Sequence, residues 1–400
     1  MTASVVVVSY RPGRWLAPCL ASVTAQADEV LVLDNGSQGA TASRIGLEAG
    51  AKVLRSEVNQ GFAPAVNEGA RRVKGDVLAL LNDDAIAGPG WLAAAAEFLK
   101  DEGVAAVGPK LVLSDRYREV VFDDEEWHAE GDDRALGRQV RSVTVDGADR
   151  LDQVIGPGVH RVETGPSGER WRWTAGPRPF YIPLPAGADV AETTVLVDGR
   201  AAPPGPVVRL VNSAGVYLDR RGYAGDIGVG AADDSRFDDA RERFAIAGTA
   251  FVTRMSTWRR IGPFAEPFFA YYEDVDWCWR ARLAGMRIVY DPATAVEHKR
   301  SASSGGEHQP WVRVMAERNR TLTMVRNGPR GLVATAMRDR MGQGPDGGVR
   351  AGIARLVPWA LASRLRMVKG WALKPEEVWS RWAGQDLEWP DGPAARSARL

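Results

Sequence analysis

Apolar residues open the chain in short unbroken runs, with helical spacing between them. Residues 4–10, SVVVVSY, form a continuous β-branched run, the pattern of a strand buried on both faces of a parallel sheet. Pro12 and Gly13 break it, and residues 15–24 show helical spacing. Residues 29–33, 52–55 and 76–81 predict three more strands, with a helix from the 59–62 loop through Arg72. Strand and helix alternating at these intervals predict βαβ units, hence an α/β fold with a doubly wound, mostly parallel, Rossmann-like sheet. Such sheets bind ligands beyond the carboxyl ends of their strands. Polar clusters fall there four times: Ser9-Tyr10, Asp34-Asn35, Asn59 to Phe62, and Asn82-Asp83-Asp84. One such cluster is turn chemistry; four at equivalent ends predict a binding edge. The usual dinucleotide and P-loop fingerprints, GxGxxG and GxxxxGK[ST], are absent.

The pattern changes after Leu113. Residues 115–206 turn acidic and then rich in Gly, Pro and aromatics, with short strand signals and no helices between them. About ninety residues is too long for a structureless loop in a compact domain, so a β-rich insertion is expected. The core pattern resumes near Val207. Residues 212–239, rich in glycine and aspartate, suggest an ordered active-site loop or a flexible lid, and residues 244–255 a buried strand. The expected division is 1–114, 115–206, 207–327, and a helical extension over 328–400 whose tail after Trp389 is disordered.

Residues 268–301, FFAYYEDVDWCWRARLAGMRIVYDPATAVEHKRS, carry the densest chemistry. Val275, Cys278, Trp279 and Leu283 recur at three and four, so a helix starts near Glu273 and stops at Gly285. Glu273 and Asp274 sit in its first turn, where the helix dipole favours the ionised form, suited to accepting a proton. As a bare helix start the pair is capping chemistry. Beside Phe268, Phe269, Tyr271 and Tyr272 it reads as a sugar-sized pocket with a base in it. Residues 287–290 predict a strand, with His298 on the loop after it.

Composition narrows the picture. Lys plus Arg and Asp plus Glu are both 51, so net charge gives no argument for nucleic acid. Residues 311–400 hold sixteen bases against eight acids, a candidate contact with an anionic surface. Cys19 and Cys278 form neither a disulfide framework nor a metal-ligand spacing, which fits a reducing compartment. No signal peptide follows Met1, and no apolar run approaches bilayer length. A cytoplasmic protein is expected, soluble or peripheral on the inner face of the membrane.

Together these residues supply what transfer from a nucleotide sugar needs. A divalent ion, Mg²⁺ or Mn²⁺, held by Asp84 with His298 as a second ligand, would neutralise the leaving diphosphate. Asp274 or Glu273 would take the acceptor proton. Asp34 would accept a hydrogen bond from the base N–H of uracil or thymine.

The segments VVVVSYRP, VLVLDNGS, NQGFAPAVNEGARR, LLNDDA, AGTAFVTRMSTWRRIGPF and FFAYYEDVDWCWRARLAGMRIVYDPATAVEHK resemble the family 2 glycosyltransferases of GT-A fold, in particular their rhamnosyltransferase-like branch. The likeness covers residues 4–114 and 207–327. It implies that the family's metal-binding DXD falls on Asn82-Asp83-Asp84, with Asp84 the direct ligand and Asn82 in place of the first Asp. It implies a catalytic base at Asp274, a further metal ligand at His298, and inversion by a single displacement. Ser9, Tyr10, Asp34, Asn59, Gly61, Asn67, Asn82 and Asp83 would line the donor site. The donor expected first is a thymidine-linked rhamnose, then galactofuranose or another hexose on uridine; the acceptor is a glycan or a lipid-linked sugar. Two other readings are a carbohydrate-binding protein that kept the fold without catalysis, and a nucleotidyltransferase, for which only Arg11 and Arg14 offer an early phosphate clamp. In the extension, Leu356, Trp359, Leu361, Leu365 and Trp371 predict an apolar helix side, with Arg355, Arg364, Arg366 and Lys369 outward. It packs on the domain, as amphipathic helices do, or lies on anionic lipid with Trp359 and Trp371 at the headgroups.

Overall fold

The computed structural model describes residues 1–187, 189, 192–299, 309–342 and 347–387. The described chain forms two units, one of residues 1–111, 213–227 and 237–387, the other of residues 112–212 and 228–236.

The first unit opens with β1 (Ala3–Ser9), α1 (Leu16–Thr24), β2 (Glu29–Asn35), α2 (Thr41–Glu48), β3 (Lys52–Ser56), α3 (Phe62–Arg72) and β4 (Val77–Asn82). β1 pairs in parallel with β2 on one side and β4 on the other. Its valines explain the unbroken run. Val5 and Val7 join Leu16, Cys19, Leu20 and Val23 on one face. Val6 and Val8 join Ala63, Val66 and Trp277 on the other. Gly69 brings α3 close to this sheet, since a Cβ there would lie 2.6 Å from Val6. Pairing sets Ser9 opposite Asp34, and Val8 opposite both Leu33 and Asn82, so the polar ends of β1, β2 and β4 are level.

β5 (Ala85–Ala87), α4 (Trp91–Leu99) and β6 (Val104–Leu113) follow. The strand Ala250–Arg254 then lies antiparallel between β4 and β6. The sheet is therefore mixed, four parallel strands continued by antiparallel ones. The apolar run of residues 244–255 is strand only over Ala250–Arg254, after which α5 (Met255–Ile261) begins. Next come α6 (Glu273–Leu283), the strand Arg287–His298, α7 (Pro310–Asn327), α8 (Arg330–Gly342), α9 (Gly347–Met367) and α10 (Pro375–Trp382).

His298 is thus the last residue of a twelve-residue strand and not part of a loop. Tyr290 and Val289 pair with Arg241–Glu242, while Val296 to His298 pair with β5. Pro292 falls between the residues that pair with Arg241–Glu242 and those that pair with β5. The glycine-rich segment contributes an ordered hairpin, Val216–Leu218 against Ala224–Asp226.

The second unit has its own core of Val120, Val140, Val143, Leu151, Phe180, Ile182 and neighbours. It is built from short antiparallel strands, among them Tyr117–Val120 between Phe180–Pro183 and Val207–Val208. The expected disordered tail lies outside the described residues.

Candidate active site

β4 delivers Asn82-Asp83-Asp84 to the carboxyl edge of the sheet. The Asn82 N–H donates to the Thr249 carbonyl at 2.9 Å. Asp83 is buried and accepts the Ser9 hydroxyl at 2.6 Å. Burial pushes its carboxyl up to about 7, against the Ser9 bond, with Asp84 adding to the rise. Asp84 turns the other way. β5 pairs with the end of the strand Arg287–His298, setting Ala85 opposite His298, and the Lys299 N–H donates to the Asp84 carbonyl. That ladder puts His298 Nε2 3.2 Å from Asp84 Oδ1, both side chains nearly buried. No group of three or more His, Cys, Asp or Glu that could hold a metal occurs among the described residues. The chain's own offer to a metal is one carboxylate and one imidazole, an O and N donor pair that suits Mg²⁺ or Mn²⁺ when phosphate oxygens and water complete the sphere.

The base candidates arrive from the neighbouring loop. Gly248 N–H donates to Asp274 Oδ2 at 2.7 Å, and the Val275 N–H donates to Oδ1 at the same distance. Residues 248 and 249 therefore tie Asp274 and Asn82 to one short segment. Asp274 stays partly exposed; Glu273 is buried, and its Oε2 has no hydrogen-bond partner. Burial pushes both carboxyls up, and Asp274 raises Glu273 further by like charge. This corrects the expectation that the helix dipole keeps them readily ionised. Desolvation outweighs a dipole term of roughly 0.3–1 kcal/mol.

With this geometry in place, likeness to known proteins can be weighed. Residues 4–140 match the family model for glycosyl transferase family 2. That match covers about a third of the chain. Over 52 residues it is 40% identical to rhamnosyltransferase WbbL of Escherichia coli, covering 13% of this chain and 20% of that protein. Over 69 residues it is 42% identical to a TPR repeat-containing protein of Synechococcus elongatus, covering 17% of each. The chain thus spans a fifth or less of the length of these curated relatives. Among solved structures, GalNAc-T7 with UDP, GalNAc and Mn²⁺ superposes with a TM-score of 0.55 at 14% identity, over 98% of this chain and 58% of that one. That is a likeness of fold, the GT-A arrangement of a mixed sheet with helices.

Several of the expected donor residues are engaged within the fold. Asp34 is fully buried, and its carboxylate accepts from the Ser37 and Ser43 N–H groups, the Ser43 hydroxyl and the Arg55 guanidinium. It has no face left for a base. Asn67 is likewise buried, clamping Phe264 through its N–H and carbonyl and reaching Glu266. Asn59 accepts from the Asn35 amide and the Gly61 N–H. Gly61 has φ +95°, and a Cβ there would lie 2.6 Å from the Phe269 ring, so glycine is required for contact. Tyr10 remains half-buried at the edge, with the Arg11 guanidinium 5.2 Å from its ring centroid.

Of the aromatic run, Phe268 belongs to the core, while Phe269, Tyr271 and Tyr272 are half-buried. Phe268 and Trp277 are fully buried; Trp277 stacks on Trp258, and Phe268 meets Trp359 edge-on. What the run provides is strain. Phe269, Tyr271 and Tyr272 have φ of +67°, +71° and +70°, a region that costs non-glycine residues about 1–3 kcal/mol each. Asn319 of α7 holds them there, its amide donating to the carbonyls of Phe268, Ala270 and Tyr271, while Arg318 donates to those of Pro267 and Phe268. Tyr272 Oη accepts the Ala224 N–H of the glycine-rich hairpin. No sequence pattern singled out Asn319; its partners lie about fifty residues away.

α9 also packs inward. Trp359 sits beside the Arg326 guanidinium, and Arg364 donates to the carbonyls of Val325 and Gly328 and lies over Trp371. The placement of Trp359 and Trp371 at lipid headgroups and of Arg364 outward is therefore corrected.

Proposed function

We propose that the chain is an inverting glycosyltransferase that moves a sugar from a nucleoside diphosphate to an acceptor hydroxyl, with Asp274 as general base. The observation that carries this is the 248–249 segment, whose Gly248 N–H holds Asp274 and whose Thr249 carbonyl holds Asn82. It sets a partly exposed carboxylate beside the strand end that bears Asp83 and Asp84. The acceptor oxygen bonds to the anomeric carbon as the bond from that carbon to the phosphate oxygen breaks, and the proton passes to Asp274. Its raised pKa suits the task, since a base works best near the operating pH. Gly248 orients one oxygen and leaves lone pairs on the carboxylate for the hydroxyl. Burial keeps the proton affinity of Asp274 high, against the N–H groups that it accepts.

Asp84 and His298 would hold a divalent ion, which when bound neutralises charge on the departing diphosphate. The donor proposed first is rhamnose on thymidine diphosphate, on the strength of the short stretch shared with a rhamnosyltransferase. A uridine-linked hexose, galactofuranose among them, is the alternative; the fold neighbour was solved with UDP and GalNAc. A glycan or lipid-linked sugar would be the acceptor.

A panel of nucleotide sugars assayed with Mg²⁺ or Mn²⁺ identifies the donor, and Asp274→Asn then tests the base. The variant should keep donor affinity and lose about 10² to 10⁴ in kcat. Turnover at the wild-type rate would contradict the assignment. Donor binding without turnover by the intact protein would point instead to a sugar-binding protein on this fold.

A further inference from the structure

α9 is apolar on both sides. Its inner side, with Ile353, Leu356, Trp359 and Ala360, packs on the protein. The outer side presents Leu361 and Leu365, 46% and 74% exposed, continued past the helix end by Val368 at 43% and Leu373 at 37%. Ten large apolar side chains are exposed among the described residues, and four of them fall within these thirteen positions. A surface helix normally turns polar residues outward, so an apolar outer stripe asks for a partner.

Charge selects the partner. Residues 347–375 contain Arg350, Arg355, Arg364, Arg366, Lys369 and Lys374, and no acid. Arg366 and Lys369 are exposed beside the stripe. A second copy meeting this face across a two-fold axis would set bases against bases. Among the described residues no helix is long and apolar enough to cross a membrane, which leaves contact in the plane of the surface.

We propose that the outer face of α9 and the turn after it dock on an anionic lipid surface, Leu361, Leu365 and Val368 entering the headgroup boundary and Arg366 and Lys369 lying against lipid phosphates. The inference stands apart from the catalytic assignment, since it concerns a different face and requires no turnover.

Flotation of the full chain with phosphatidylcholine vesicles, with and without phosphatidylglycerol, tests it. Binding should require the anionic lipid and fall as salt rises. Leu361→Asp with Leu365→Asp should reduce the partition coefficient more than about tenfold, and Arg366→Gln or Lys369→Gln about fivefold each. These exposed substitutions should leave circular dichroism, melting temperature and donor turnover unchanged. If the intact protein fails to float with anionic vesicles at low salt, or the double Asp variant floats like wild type, the proposal is overturned. It is also overturned if sedimentation finds a concentration-dependent dimer that the double Asp variant abolishes, since the face would then serve a second copy.

Discussion

Asp276 and the Glu273–Asp274 pair share the first turn of α6, yet their protons are held in opposite ways. Asp276 is fully buried; burial alone would raise its pKa, but Arg326 and Arg280 overcome that and hold the carboxyl below its usual range. Arg280 reaches it at 3.0 Å, Arg326 at 2.7 Å and the Asn327 amide at 2.8 Å. Among the described residues no cation is hydrogen-bonded or ion-paired to Glu273 or Asp274; burial drives both up, and the Asp274 charge raises Glu273 further. The helix dipole acts on all three, so it is not what separates them. A carboxylate with two buried guanidiniums is a rivet; one left without them retains affinity for a proton, and that affinity is what a base uses.

The comparison breaks most visibly at the rivet. Asp276→Asn should cost about 3–5 kcal/mol in denaturant unfolding, because two buried guanidiniums lose their counter-charge. Asp274→Asn should unfold near the wild-type midpoint while turnover collapses. Asn319→Ala comes next, at about 1–3 kcal/mol, since it leaves the carbonyls of the strained 268–271 segment unsatisfied. Glu273→Gln should act in the opposite direction and stabilise by roughly 1 kcal/mol, because it replaces a buried carboxyl that ionises only at a cost and has an unpaired oxygen.

The two sites also differ in how they link stability to pH. The folded pKa of Asp276 is depressed, so its contribution is present above the unfolded value of about 3.9 and is lost as pH falls through the folded pKa. For Glu273 and Asp274 the folded pKa is raised. Their contribution is fully present below the unfolded pKa and is lost as pH rises through the folded one. Asp276→Asn should therefore flatten the acid side of the stability curve, and Glu273→Gln the side above it.

Which carboxylate belongs to which class was only half legible in the sequence. Strand periodicity located β1 to β4 and hence the edge where Asp84 sits, because a β-branched run buried on both faces is a local signal. Spacing located α6 and its two leading acids for the same reason. Partners were not legible. Asp34 sits at a strand end like Asp84, and only Ser43 and Arg55, brought in by the fold, make it structural. Asn67 lies on α3, but Phe264, about two hundred residues on, decides its role. Arg326 and Asn327 decide that of Asp276 from fifty residues away. Within the aromatic run Phe268 fills the core, and composition alone does not tell a ring in a core from one lining a pocket. His298 does lie beside Asp84, but the strand reaching it was ended at Tyr290, eight residues before its last residue.

The most direct test of the account is a carbon-13 NMR titration of the side-chain carboxyls, with Asp274→Asn and Glu273→Gln used for assignment. It needs neither donor nor acceptor. Asp274 and Glu273 should titrate above the ordinary carboxylate range, in coupled steps that simplify when either is replaced, while Asp276 stays ionised below that range. If Asp274 instead titrates together with the surface carboxylates and is indifferent to Glu273→Gln, the uncompensated pair is not what prepares a base in this protein.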